Sequence, residues 1–182
     1  MHGKPPGQTA SLRVADAALK KAPVRLCLCR PVSPGKHLSV FSGGVAEVEE
    51  AFRAGRAIAD ETLYDELLLP LCHEQVLAAL AGLGEDAPAA GSDDALGIVE
   101  TFSAAAALRS ADAALKAAAV RLAGLRLCDG LGGKGVYFLL GELPDLEAAL
   151  GAVERVLTPG LLVAIERIAR PHPELWQALR DG

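Results

Sequence analysis

Ala15-Asp16-Ala17-Ala18-Leu19-Lys20-Lys21-Ala22-Pro23-Val24-Arg25-Leu26 returns 96 residues later as Ala111-Asp112-Ala113-Ala114-Leu115-Lys116-Ala117-Ala118-Ala119-Val120-Arg121-Leu122, with only Lys21/Ala117 and Pro23/Ala119 differing. A repeat of this length marks duplicated architecture and decides how every other segment is read. Gly35-Lys36 recurs as Gly133-Lys134, and the stretch 43–49 as 141–147 at offset 98, after a two-residue insertion. Residues 73–80 pair with 172–179 at offset 99, so the correspondence runs to the end of both halves. Between the halves, residues 82–94 hold Gly, Pro, Ser and acidic side chains with little to bury, the composition of a linker. The expected layout is a first module over 1–82, a linker over 83–94 and a second module over 95–182.

The second copy shows the plan. Residues 95–100 form a short apolar strand candidate, and 104–118 place apolar residues at helical spacing. Residues 120–128 alternate as a strand should, 129–134 make a Gly-rich turn, and 136–140 form a second alternating strand. Residues 143–156 read as a helix with Pro144 and Asp145 in its first turn, where a missing N–H is harmless and a negative charge is favourable. A strand over 161–168 and a short helix over 174–179 complete the order βαββαβα. The fold class is therefore α+β, two tandem ferredoxin-like split βαβ modules with a terminal helix. The first copy keeps the order with its first element missing: where a strand is due, residues 1–8 offer Gly, two prolines and nothing apolar to pair. It either lacks that strand or borrows a substitute.

Composition bounds the function. With 51% hydrophobic and 23% charged residues over 182 positions, the chain has the makeup of a globular protein. A formal net charge of −5 and no basic run argue against nucleic acid as a partner. No apolar stretch approaches the ~20 residues of a membrane span, and residues 1–8 lack a signal-peptide core, so the expected compartment is the cytoplasm and no membrane partner is expected. Cys27, Cys29, Cys72 and Cys128 are then free thiols. In a strand over 24–30, Cys27 and Cys29 stand at i and i+2 and are expected on one sheet face; a lone C-x-C favours buried thiols over a metal site.

Gly130-Leu131-Gly132-Gly133-Lys134-Gly135 matches G-x-G-x-x-G, yet that loop holds a dinucleotide only when a helix follows, and here a strand follows. The Walker pattern fails because Cys128 stands where it needs Gly. A tight hairpin turn with Gly supplying positive φ explains one such loop. Its return as Ser33-Pro34-Gly35-Lys36 in the first copy points instead to two equivalent loops sharing a role. Catalysis finds no support: His2, His37, His73 and His172 are scattered, and no Ser/His/Asp or Cys/His pairing repeats in both copies. No catalytic residue, metal or cofactor is expected. Asp16 and Asp112 repeat within a helix, where a surface or subunit-contact role is expected; Lys20 and Lys116 read as solvated helix charges.

The combination of Ala95-Leu96-Gly97-Ile98-Val99-Glu100-Thr101, Ala111-Asp112-Ala113-Ala114-Leu115-Lys116, Gly132-Gly133-Lys134 and Arg170-Pro171-His172 resembles a bacterial microcompartment shell domain. Two such domains in one chain resemble the tandem-domain, trimer-forming shell proteins. The resemblance implies a structural shell protein, not an enzyme, in which a homotrimer closes into a flat pseudohexameric tile with a central pore. It implies that Ser33, Pro34, Gly35, Lys36, Gly132, Gly133 and Lys134 line the pore, making a positive constriction for anionic or polar metabolites. It implies tile-edge contacts at Lys20, Lys116, His73, Arg170 and His172, where the first copy has Leu71-Cys72-His73 in place of Arg-Pro-His. Hexameric and pentameric shell tiles, and encapsulated enzymes, are the implied partners, in a shell within the cytoplasm. Some relatives, including the propanediol-utilisation type, hold an iron–sulfur cluster at the pore on a Cys before Pro-Gly-Lys; this chain has Ser33 there, so no cluster is expected. The alternative class is a ferredoxin-like regulatory protein that binds small anions in its Gly-Lys turns.

Overall fold

A computed structural model describes residues 8–32, 35–82, 94–128 and 132–175. The chain divides into two compact units, one of residues 1–70 with 128–133 and one of 71–127 with 134–182. No helix among the described residues is long and apolar enough to cross a membrane.

The first unit contains α1 (Gln8–Lys21), β1 (Arg25–Val32), β2 (Lys36–Ser42) and α2 (Val45–Ala59), followed by a short 3₁₀ turn at Asp60–Thr62. Its helices meet through small side chains: Ala15, Ala18 and Ala51 are buried, and a Cβ on Gly55 would stand 3.4 Å from the Val14 side chain. β1 and β2 form an antiparallel two-stranded sheet with one bulge, because Leu26 faces Phe41 while Leu28 faces Val40. Paired residues share a face and Phe41 and Val40 alternate, so Leu26 and Leu28 point to opposite faces although only two positions apart.

This overturns the expectation that Cys27 and Cys29 share a face. The Cys27 thiol lies 3.1 Å from Ser42 Oγ, on the Val40 side, whereas Cys29 stands opposite Ser39, its sulfur 3.8 Å from both Ser39 Oγ and His37 Nε2, on the Phe41 side. The extra residue at Cys27 shifts the alternation. The second copy repeats the bulge, between Leu122 and Gly124.

The second unit contains α3 (Glu74–Leu80), β3 (Ala95–Thr101), α4 (Ala104–Ala117), β4 (Arg121–Leu127), β5 (Gly135–Gly141), α5 (Leu143–Val156) and β6 (Leu162–Ile168). The sheet order is β4-β5-β3-β6 with every neighbour antiparallel, the ferredoxin-like arrangement expected. Helices cover one face closely: a Cβ on Gly135 would lie 2.5 Å from Ala107 Cβ in α4, and one on Gly97 would lie 2.7 Å from the Leu146 side chain in α5. Between sheet and helix, buried Tyr137 donates to Ser110 Oγ at 2.9 Å, and Ser110 donates to the Ala106 carbonyl at 2.8 Å, so both hydroxyls are satisfied. The opposite face gathers Leu96 and Leu140 with Ile98, Phe138, Ile168 and Leu175. Ser103 caps α4 by accepting the Ala106 N–H.

The first module lacks more than the one strand expected. In the second unit β6 hydrogen-bonds only to β3. Among the described residues the first copy shows no counterpart of β3, and residues 63–69, aligned with β6 at offset 99, form no strand. By the repeat α3 is the last element of the first copy, yet it packs within the second unit. Of the terminal helix expected at 174–179, residues 173–175 are helical and the remainder lie outside the described residues, as do the segments 1–7 and 83–93.

Candidate functional site

The two Gly-Lys turns join β1 to β2 and β4 to β5, the same connection in each copy. Gly35, Gly132 and Gly133 have φ of 65°, 64° and 88°, the left-handed region that hairpin turns of this kind demand. Gly35 and Gly132 are exposed and Gly133 is buried. Ser33 and Pro34 lie outside the described residues.

The two lysines are held differently. Lys134 Nζ lies 2.9 Å from Glu100 Oε1, a half-exposed pair. Glu100 belongs to β3 and stands opposite Val136 across the ladder, so strand register delivers the carboxylate to the turn. Among the described residues the first copy has no such strand. There, Lys36 Nζ sits 3.2 Å above the ring of Tyr64, within the segment that replaces the missing fourth strand. Lys36 thus meets a ring face in place of a carboxylate, which leaves its positive charge uncancelled. Neither Glu100 nor Tyr64 was foreseen as a partner; Glu100 was recoverable from strand register, whereas a lone aromatic outside a strand carried no signal.

Of the residues expected at the tile edge, the structure brings His73 and Lys116 together around Asp112. The Asp112 carboxylate is almost fully buried, accepting the His73 backbone N–H at 2.7 Å through Oδ1 and Lys116 Nζ at 2.7 Å through Oδ2. His73 also caps α3, its Nδ1 accepting the Gln75 N–H at 3.3 Å, and the Gln75 side-chain oxygen accepts the Leu122 N–H on β4 at 2.7 Å. Cys72 lies beside this cluster: burial, then the Asp112 charge, pushes its thiol up to about 11, with Lys116 pulling the other way. Lys20 pairs with Asp16 at 2.7 Å on an open helix surface. Arg170 and His172 are exposed around buried Pro171, and His172 Nδ1 accepts the Glu174 N–H at 3.3 Å, as His73 does from Gln75.

Cys29 and His37 do approach in the first copy, but the matching positions in the second are Leu125 and Gly135, so the pairing is not a repeated device. Burial lowers the His37 pKa, favouring the neutral ring. A cluster ligated by a cysteine before Pro-Gly-Lys does not fit the first turn: a hydroxyl stands at Ser33, and the nearest thiols along that strand, Cys27 and Cys29, are turned to opposite faces of the β1–β2 sheet. Among the described residues no group of three or more His, Cys, Asp or Glu side chains is arranged to hold a metal ion.

The BMC domain family matches residues 7–71 and again 95–171. The bacterial microcompartment shell protein PduT of Citrobacter freundii is 37% identical over 172 residues, spanning 94% of this chain and 91% of that protein. The carboxysome assembly protein CcmO of Synechococcus elongatus is 32% identical over 186 residues, spanning 94% of this chain and 65% of that protein. The crystal structure of a microcompartment protein from Desulfitobacterium hafniense is similar with a TM-score of 0.82 and 35% identity, covering 93% of this chain and 92% of that one.

Proposed function

The chain belongs to the BMC domain family of microcompartment shell proteins, and from that premise we propose that three copies close into a flat pseudohexameric tile of a cytoplasmic microcompartment shell, with a central pore for metabolites. The observation that carries the reading is the double family match on a duplicated chain: two similar modules per chain give six similar wedges when three chains form a ring. The tile has a structural role and packs edge to edge with hexameric and pentameric tiles around encapsulated enzymes. Ser33, Pro34, Gly35 and Lys36 from one module and Gly132, Gly133 and Lys134 from the other line the pore. Lys36 supplies most of its positive charge, since Glu100 offsets Lys134. Lys20, Lys116, His73, Arg170 and His172 lie at the edges of the modules.

Light scattering tests the ring, with a mass of three times 18.8 kDa expected and a stable monomer at micromolar concentration against it. Electron microscopy after co-expression with a hexameric shell protein tests the tile. Sheets or closed shells containing this chain are expected; discrete particles alone would overturn the shell reading.

A further inference from the structure

Three side chains that the proposed pore and edges do not use gather on one face of the β1–β2 hairpin. Cys29 stands opposite Ser39 across the ladder, and His37 lies two residues before Ser39 on β2, so all three face the same side. Through the repeat, at offsets of 96 and 98, Cys29, Ser39 and His37 take the places of Leu125, Tyr137 and Gly135. The second unit gives those places to packing: Tyr137 is fully buried, and position 135 has no room for a methyl, with Ala107 Cβ only 2.5 Å from where it would stand. The first unit puts a thiol, a hydroxyl and an imidazole there, each half-buried, where apolar side chains would serve a core better.

The donor atoms converge on the sulfur. Cys29 Sγ is 3.8 Å from His37 Nε2 and 3.8 Å from Ser39 Oγ, both long for a hydrogen bond. They suit two ligands of one small cation. With Zn–S about 2.3 Å and Zn–N or Zn–O about 2.0–2.2 Å, an ion bridging either pair subtends roughly 115–125°, near the tetrahedral angle. The other thiols are turned to oxygens: Cys27 to Ser42 Oγ at 3.1 Å, Cys72 to the His73 carbonyl at 3.7 Å and Cys128 to the Gly133 carbonyl at 3.3 Å. The His37 ring has no hydrogen-bond partner at its buried Nδ1, which leaves Nε2, the atom beside the sulfur, as its polar contact.

We propose that Cys29 Sγ, His37 Nε2 and Ser39 Oγ form an open site for a divalent cation of the zinc class. Thiolate and imidazole select such a metal over magnesium or calcium, and water fills the remaining positions. Binding releases the thiol proton to solvent. Among the described residues no third His, Cys, Asp or Glu joins the pair, so affinity falls below that of a closed four-ligand structural site. The ion ties β1 to β2 beside the Gly35-Lys36 turn and stiffens a two-stranded sheet. All three ligands belong to one module of one chain, so the site does not depend on how chains assemble.

Cobalt(II), titrated into the reduced whole chain, tests it. A thiolate-to-cobalt charge-transfer band in the near ultraviolet, saturating at a single ion per chain, is expected. Cys29→Ser should abolish the band, and His37→Gln should weaken binding at least ~10-fold, the least that losing even an outer-shell partner costs a metal site. Cys27→Ser and Cys72→Ser should leave it unchanged. The absence of the band at millimolar cobalt, its survival in Cys29→Ser or its indifference to His37→Gln overturns the site. Should Cys29→Ser fail to fold, the parent chain suffices. Zinc should then slow iodoacetamide alkylation of Cys29 several-fold while leaving that of Cys27, on the opposite face of the same strand, unchanged. Equal protection of both thiols, or of neither, overturns the site.

Discussion

Lys134 and Glu100 form an ion pair at 2.9 Å that has no equivalent among the described residues of the first module, because Glu100 lies on β3 and none of those residues forms its counterpart. The pore proposed here is therefore uneven in charge, with Lys36 carrying it at one turn and a neutralised pair at the other. In shells enclosing an enzyme with an anionic substrate, Lys36→Glu should slow uptake more than Lys134→Glu, while Glu100→Gln should speed it by freeing Lys134. The pair itself is half-exposed and contributes only ~0.2–1 kcal/mol, so Glu100→Gln should leave the fold intact. Equal uptake in all three variants, with intact shells, would remove the turn lysines from any role in permeation.

Gly135→Ala should destabilise the second unit more than Gly97→Ala. The new methyl at 135 meets Ala107 Cβ at 2.5 Å and the Ser103 carbonyl at 3.2 Å, both fixed by helix α4, whereas at 97 it meets the end of the Leu146 side chain, which can turn away. Overpacking of the first kind costs ~1–3 kcal/mol, or several degrees in Tm for a chain of this size. Thermal unfolding of the two variants beside the parent checks the order.

The second module was legible in the sequence because each of its strands and helices carries its own periodicity, and α5 begins and ends where its pattern does. What escaped depends on pairing. Residues 63–69 contain Leu63, Leu67, Leu68 and Leu69, yet form no strand, and among the described residues no counterpart of β3 stands beside them as a ladder partner. The bulge at Cys27 is likewise a property of two strands together, invisible in the spacing of one. The turns were located by their glycines, but Glu100 and Tyr64 reach the lysines through tertiary structure. Asp112 and His73 both stood out as repeated residues; that they are partners, 39 positions apart, did not.

Cys72 should resist alkylation. With its thiol pushed up to about 11 from 9.0, the thiolate fraction at pH 8 falls about 100-fold below that of an ordinary thiol, and reaction should slow accordingly. Reactivity should rise steeply only as pH approaches 11. Lys116→Met removes the charge that lowers this value and should slow the reaction further, while Asp112→Asn should quicken it. Mass spectrometry after timed iodoacetamide treatment measures each; a Cys72 rate equal to that of a free thiol contradicts the burial and charge assigned to it. The linkage has a sign as well. Between 9 and 11 the unfolded thiol ionises before the folded one, so this group adds stability below pH 9 that is lost as pH rises towards 11.

Amide exchange should separate the two sheets. Every residue of β2 is half-buried, and among the described residues β2 pairs on one side only, whereas β5 lies between β4 and β3 and buries five of its seven residues. A two-stranded ladder is marginal by itself and opens locally at low cost, while a central strand opens only with its sheet. Amides of Leu38 and Val40 should therefore exchange well before those of Val136 and Phe138, their counterparts in the repeat. Joining Ala95-Leu96-Gly97-Ile98-Val99-Glu100-Thr101 upstream of α1 by a flexible linker should slow exchange in β2 by giving it the missing neighbour, with β5 unchanged. If β2 is already as protected as β5 in the parent, the open edge is filled by another segment and the first module is complete without the added strand.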